Sequence, residues 1–399
     1  MRQIITLLIL VFVFFGCTQK QTVPLKLPQS QNKEKVSEIK IKQEKPIVES
    51  TPVIEGLKPI DIKVSEGTLA DNIAVPSEDK IPDGEIISEI QVDLAKVKIK
   101  VAFIYPSSLV EKYAKTSLNT ISGYLSYQKA DYDLSIIDST NESYDNINLA
   151  FAKAKQNGVT KIIGLFTPSA VSSLDKIVTG DVKVYLPLIE KKDSLTNNEN
   201  LIFGSISYDQ QVKKLISYSN TNNAMFYQDT YIGNKLKRAY DASVYDTRVR
   251  KEISKTETNF KYIVNDYKLN NSTLFLNTDL VKSSLILSQL RAYDISPKAI
   301  LSTQVSYDPM LMLLTQTQDR ENLVIANSID SVNNELRDEI TTFGGNIVYE
   351  WVDYSTLVGI NYLYYGNNSN LVQTKIIDNE AVYNPKLFKS TDVGFLEIK

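Results

Sequence analysis

The chain has 399 residues, 44 basic and 47 acidic, for a net charge of -3. That length has room for two or three domain-sized units, and the near balance of charge argues against a nucleic-acid partner. Histidine is absent and Cys17 is the single cysteine, which removes Ser-His-Asp and Cys-His catalysis, any intramolecular disulfide and most catalytic zinc sites.

Residues 1–17, MRQIITLLILVFVFFGC, open with Arg2 and an apolar run from Ile4 to Phe15. Such a run suits a secretion signal and is too short to span a bilayer. Gly16 is the small residue a signal peptidase needs, directly before Cys17. The order apolar, Gly, Cys resembles the lipobox of bacterial lipoproteins, although Phe14 and Phe15 are heavier than its usual residues. The resemblance implies a signal over 1–16 and a mature chain starting at Cys17, with a diacylglycerol on its sulfur and usually a third chain on the amine. Two or three acyl chains anchor stably to a membrane. An ordinary signal peptide with a chance cysteine is the alternative. Thr18 after the cysteine, in place of Asp, favours the outer membrane by analogy with lipoprotein sorting signals.

Residues 17–97 read as a disordered tether. From Thr18 to Val97 there is no Phe, Trp or Tyr, yet seven of the 13 prolines fall there. Lys, Glu and Gln fill much of the rest, and such a stretch cannot bury enough apolar surface to offset the entropy of ordering it. A small strand-rich module between Ile54 and Val92 is the competing reading. Seven lysines between Lys20 and Lys45 face only Glu34, Glu38 and Glu44, which suits anionic headgroups. About 80 flexible residues have a typical end-to-end distance of roughly 50 Å and a full reach on the order of 260 Å. Asp79, Asp83 and Gly84 imitate a calcium loop, but its twelfth position is Ile90, so no metal is expected.

From Lys98 the pattern becomes alternating strand and helix. Ile99, Val101, Phe103 and Tyr105 alternate with Ala102 and Ile104, predicting a strand apolar on both faces, the mark of a parallel sheet. After Pro106-Ser107-Ser108 comes a helical stripe of Val110, Tyr113, Ala114, Ser117, Ile121, Tyr124 and Leu125. Strands are then expected at Leu134–Ile137, Lys161–Phe166, Val182–Leu188 and Leu201–Gly204, with a helix through Ile147 to Ala154 stopped by Gly158. A second series follows: helix Asp209–Ser219, strand Ala224–Tyr227, helix Tyr231–Ala242, strands Val249–Ile253 and Thr273–Leu276, helix Leu280–Tyr293, strands Ala299–Leu301 and Leu323–Ala326. Two sets of about 110 residues each suggest two similar α/β lobes with right-handed crossovers. Asn333–Phe343 and Tyr354–Tyr365 read as helices, and Lys375–Lys399 as one terminal hairpin.

Six segments carry a resemblance: VKIKVAFIYP, FGSISYDQQVKKLISYS, Asp229 to Gly233 as a D-x-x-x-G helix entry, LFLNTDLVKSSLILSQLRAYDI, ILSTQVSYDPMLMLLTQ and IANSID. In that order over residues 98–399 the chain is similar to type I periplasmic binding proteins. The resemblance implies a bilobed α/β fold of two parallel-sheet lobes joined by hinge crossovers, with lobe 1 over about 98–205 and 331–375 and lobe 2 over about 206–330 and 376–399. The lipidated start and the FGSISYDQQ crossing look most like the lipoprotein activators of peptidoglycan synthases, the penicillin-binding protein activator family. Those proteins share the fold but need not bind a solute. The best-known members place a helical-repeat domain where this chain has its proline-rich stretch.

The crevice of such a fold lies at the carboxyl ends of the strands. The loops expected there offer Ser107, Ser108, Thr167, Ser169, Ser205, Asp229, Tyr231, Asn277, Thr278, Gln304 and Asp330. Most are hydroxyls and amides, suited to a small polar ligand, and the helix N-termini favour an anionic group. Ser107, Ser108 and Ser169 read equally as helix caps. No loop offers an evident arginine for a carboxylate. Pro-Ser-Ser after the first strand replaces a dinucleotide-binding glycine motif, and Ser173-x-x-Lys176 lacks the Lys-Thr-Gly partner of serine enzymes that act on the cell wall. No catalytic residue and no cofactor is expected. Tyr354, Tyr362, Tyr364 and Tyr365 cluster with Trp351, as a core helix or as a surface for a protein partner.

These features predict a non-catalytic, lipid-anchored periplasmic domain with one of two roles. It regulates a peptidoglycan synthase by binding it, with the tether carrying the domain through the wall. Alternatively it is the solute-binding component of an ABC transporter for a small polar ligand.

Overall fold

The computed structural model describes residues 98–219 and 222–398. The predicted signal, Cys17 and the predicted tether lie outside the described residues. Ile99–Tyr105 forms β1, with Val101 to Ile104 buried on both faces as the unbroken apolar run requires. It is followed by α1 (Ser107–Tyr127), β2 (Tyr132–Asp138), α2 (Tyr144–Gln156), β3 (Lys161–Gly164), α3 (Val171–Ile177), β4 (Lys183–Leu186) and β5 (Leu201–Phe203). These five strands are parallel, in the order β5-β4-β3-β1-β2.

The chain then crosses and repeats the plan. The second series is α4 (Tyr208–Leu215), β6 (Asn223–Gln228), α5 (Tyr231–Asp241), β7 (Thr247–Ile253), α6 (Lys261–Val264), β8 (Thr273–Asn277), α7 (Leu280–Ala292), β9 (Ala299–Ser302), α8 (Met310–Leu314) and β10 (Leu323–Asn327). Its parallel order, β10-β9-β8-β6-β7, is that of the first sheet. The chain returns as α9 (Asn334–Phe343) and α10 (Trp351–Tyr365), both packed on α1 of the first lobe. The short helices α3, α6 and α8 were not legible, because each spans at most two turns and shows too little of a helical period.

The end of the chain corrects the expected lobe boundary. Lys375–Ile377 (β11) and Glu380–Val382 (β12) join the first sheet, β12 lying parallel beside β5. Lys386–Ser390 (β13) and Phe395–Ile398 (β14) join the second, antiparallel to β10 and to each other. There are thus two hairpins instead of one, and the third crossing lies at 383–385, not near 375.

Each sheet is covered on both faces. In lobe 1, α2 and α3 bury Ile147, Phe151 and Leu174 on one side, and α1, α9 and α10 bury Ile121, Ile340 and Leu357 on the other. Lobe 2 repeats this with α6 to α8 on one face and α4 with α5 on the other. Val352 to Asn361 of α10 are all buried, so Tyr354 is a core residue, while Tyr365 at the helix end is exposed. Among the described residues no helix is long and apolar enough to cross a membrane.

The crossings meet in a buried polar zone. The Gly204 carbonyl accepts hydrogen bonds from Ser355 Oγ (2.7 Å) and from the Tyr383 hydroxyl. The Tyr185 ring, itself buried, sits between Gly204 and Gly359. An ideal Cβ would fall 2.4 Å from that ring on Gly204 and 2.2 Å from it on Gly359. Neither glycine is needed for its backbone angles; both are needed for the approach. Gly204→Ala is therefore expected to lower unfolding stability by about 1–3 kcal/mol through overpacking, read from a denaturant midpoint. An unchanged midpoint would show that the Tyr185 ring has room to move.

Candidate functional site

In each lobe the strand order reverses beside the first strand of its series, between β1 and β3 and between β6 and β8, and such switch points open a crevice at the carboxyl ends. A cavity of about 490 Å³ lies between the lobes, within the size range of small-molecule sites. Lobe 2 contributes Gln228, Thr230, Gly233, Asn277, Thr278, Asp279, Gln304, Tyr307 and Asp308. Lobe 1 contributes Lys112 and Tyr113 from α1 and Tyr349, Glu350 and Trp351 from the start of α10, with Tyr208 at the first crossing.

Local chemistry fixes the lobe 2 wall. Gln228 Oε1 accepts from the Asp279 N–H (2.9 Å), tying the two switch-point loops together. Thr230 Oγ1 accepts from the Gly233 N–H (3.0 Å) and caps α5, and Asp279 Oδ1 caps α7 through the Lys282 N–H (2.8 Å). Gln304 is held by its own backbone and side chain: its N–H donates to Gln211 Oε1 (2.9 Å), and its Oε1 accepts from the Ser328 N–H (2.8 Å). Its Nε2 is left with no partner. Asn277 is 2 % exposed and neither its Nδ2 nor its Oδ1 has a partner. A buried polar group left unpaired costs about 1–3 kcal/mol, so both amides have hydrogen-bonding capacity that the protein does not use.

The electrostatics of the lobe 1 rim are acidic. Burial, and then the Asp308 carboxylate, push Glu350 above its ordinary value, with Lys112 opposing. Lys112 lies over the Tyr113 ring, 5.4 Å from its centre. Away from the cavity, Lys235 of α5 bridges to lobe 1 through Glu190 (2.6 Å) and Asp193 (2.9 Å), and Lys192 shares Glu190 (3.0 Å). Glu190 is almost fully buried, so this is a fixed contact between the lobes and not a loose surface pair.

Of the residues expected at the site, Asn277, Thr278 and Gln304 line the cavity. The others are placed elsewhere. Ser107 and Ser108 open α1 but cap nothing: Pro106 holds the cap position, and the Ser107 N–H donates to Asp138 Oδ1 (3.1 Å). Thr167 and Ser169 surround the Glu142 carboxylate, which accepts from the Thr167 N–H (2.5 Å), Thr167 Oγ1 (2.6 Å) and the Ser169 hydroxyl. Ser169 is thus no cap either. Ser205 is buried in the first crossing and donates to the Ile206 carbonyl (3.2 Å). Asp229 accepts from Asn234 Nδ2 (3.3 Å), and Tyr231 is 65 % exposed. Asp330 pairs with Lys386 (2.9 Å) in a separate cavity of about 230 Å³. The lining residues missed include Asp279, Lys112, Tyr113, Tyr307, Asp308, Tyr349, Glu350 and Trp351. The helix was expected from Tyr354, whereas it starts at Trp351, so the last three were not placed at its entry.

No family model matches the chain, and no curated protein sequence does. Solved structures do. The branched-chain amino acid transporter substrate-binding protein LivJ from Streptococcus pneumoniae, solved with isoleucine, matches with a TM-score of 0.55 at 10% identity, over 75% of this chain and 100% of its own. A branched-chain amino acid ABC transporter protein from Thermus thermophilus with bound valine matches with a TM-score of 0.56 at 10% identity, over 77% and 96%. A leucine-binding protein, LivK, from Thermotoga maritima matches with 0.52 at 12%, over 75% and 98%. The chain has the bilobed type I periplasmic binding protein fold.

One group behind the cavity makes stability depend on pH. Asp353 is fully buried in the first turn of α10; its Oδ2 accepts from the Asn346 N–H (2.8 Å) and its Oδ1 has no partner. Burial raises its carboxyl to about 6, with the Asn346 N–H opposing and Glu350 adding to the rise. The folded state then holds the proton more tightly than the unfolded chain does. The stabilising contribution is fully present below about pH 4 and is lost as pH rises through about 6. Asp353→Asn is expected to be more stable than the unsubstituted chain at pH 7, by up to about 3 kcal/mol, with the gain vanishing near pH 4. Denaturation midpoints across pH 4–7 check this; a difference that does not vary with pH would contradict it.

Proposed function

We propose that the domain captures a small polar solute between its lobes, as the solute-binding component of an ABC transporter. The observation that carries this reading is Asn277: a buried amide on the cavity wall with donor and acceptor both unused. A polar ligand would satisfy it, and the three crossings suit a hinge that closes on one. The neighbours of this fold with bound isoleucine or valine support the same role at the level of architecture. The apolar run and Gly16-Cys17 of the opening sequence support export with lipidation at Cys17 as part of this reading.

The long stretch before β1, rich in proline and lysine, suits a second reading, in which the domain docks on a peptidoglycan synthase across the wall. That reading gives the unused amides no task.

A soluble Cys17→Ala chain, screened by thermal shift against amino acids, amines, nucleosides, sugars and wall fragments, tests the proposal. At least one class is expected to raise the midpoint, since a ligand at 100 times its Kd adds about 2.7 kcal/mol. Asn277→Ala is expected to lose most of that rise. No shift with any class, together with in-cell crosslinks to a wall synthase, would favour docking.

A further inference from the structure

We infer that the solute is a small organic cation: a primary amine that carries hydroxyl or amide groups and no carboxylate. This rests on the solute-binding reading and names the class of ligand.

The charge of the cavity comes first. Asp279, Asp308 and Glu350 line it against the single cation Lys112, and no arginine is among the lining residues. Asp279 has its own counterion, Lys282, at 3.5 Å. Asp308 uses one oxygen to accept from the Met310 N–H (2.8 Å), and among the described residues neither it nor Glu350 forms an ion pair. Two carboxylates from opposite lobes thus line one cavity that a single lysine also lines. Closing the lobes on a carboxylate ligand would add a third negative charge there, whereas a protonated amine would neutralise the pair.

The remaining surface matches an amine with a polar body. Tyr349 and Trp351 line it with aromatic rings, which attract ammonium groups, while the Tyr113 ring already lies under Lys112 and the Tyr307 ring stacks on Phe395. At the lobe 2 wall, Asn277 offers a donor and an acceptor and Gln304 a donor, the complement of a hydroxyl or amide. Burial and Asp308 already raise the Glu350 carboxyl, a strain that a bound cation relieves.

Calorimetry on the Cys17→Ala chain tests this with paired probes. One set is ethanolamine, glucosamine and galactosamine; the second is their N-acetylated forms; the third is leucine, isoleucine and valine. At least one free amine is expected to bind ten-fold or more tighter than its acetylated form and than every amino acid. Glu350→Gln and Asp308→Asn should each weaken that amine about ten-fold. The Glu350 side chain caps nothing and Gln keeps its shape, so folding is expected to persist, checked by the thermal midpoint. If the acetylated compounds or the amino acids bind as tightly or tighter, and Asn277→Ala abolishes that binding, the cation inference fails while the solute-binding reading stands. If no probe in any set binds, both fail.

Discussion

Everything about the cavity depends on how three crossings of the chain are made to share one buried zone. Backbone polar groups taken out of water must be satisfied inside the protein. Here the Gly204 carbonyl of the first crossing is bonded by Ser355, from the helix after the second crossing, and by Tyr383 of the third. Gln211 and Gln304 complete the zone by binding Ser328 from two sides. The glycines that admit the Tyr185 ring make this packing possible. The crossings are thereby held together, and the cavity is lined from both of the lobes they join.

The same zone explains why the cavity wall carries unused groups. Gln304 spends its N–H and its Oε1 on the crossings, which fixes its side chain and leaves Nε2 over. Asn277 closes a fully buried strand whose ladder bonds are all backbone, so nothing nearby meets its amide. Hydrogen-bonding capacity left over on a wall positioned by rigid elements is the form a preorganised binding site takes.

Much of the fold was legible because buried parallel strands leave unbroken apolar runs, as in Val101–Ile104 and Leu274–Leu276. Membership of a lobe was less so. β12 and β13 are both short strands of the chain's end, and only pairing decides their fate: Glu380 beside Phe203 in one sheet, Leu387 beside Ala326 in the other. At the site, Asn277 and Gln304 were found because they stand at strand ends. Lys112 and Glu350 were not, because they reach the cavity only through tertiary packing of helix starts. Thr167 and Ser169 had the right chemistry, but a partner 25 and 27 residues earlier in the chain had already taken it. No local pattern reveals such a contact.

The chain's single tryptophan, Trp351, lines the cavity and reports on it directly. Its emission, followed while a bound solute is titrated into the Cys17→Ala chain, tests whether the space between the lobes is where binding happens. A saturable change in intensity or wavelength, with the same midpoint as calorimetry and absent in Asn277→Ala, is the predicted result. Binding seen by calorimetry with Trp351 emission unmoved, and undiminished in Asn277→Ala, would place the solute elsewhere and contradict the account.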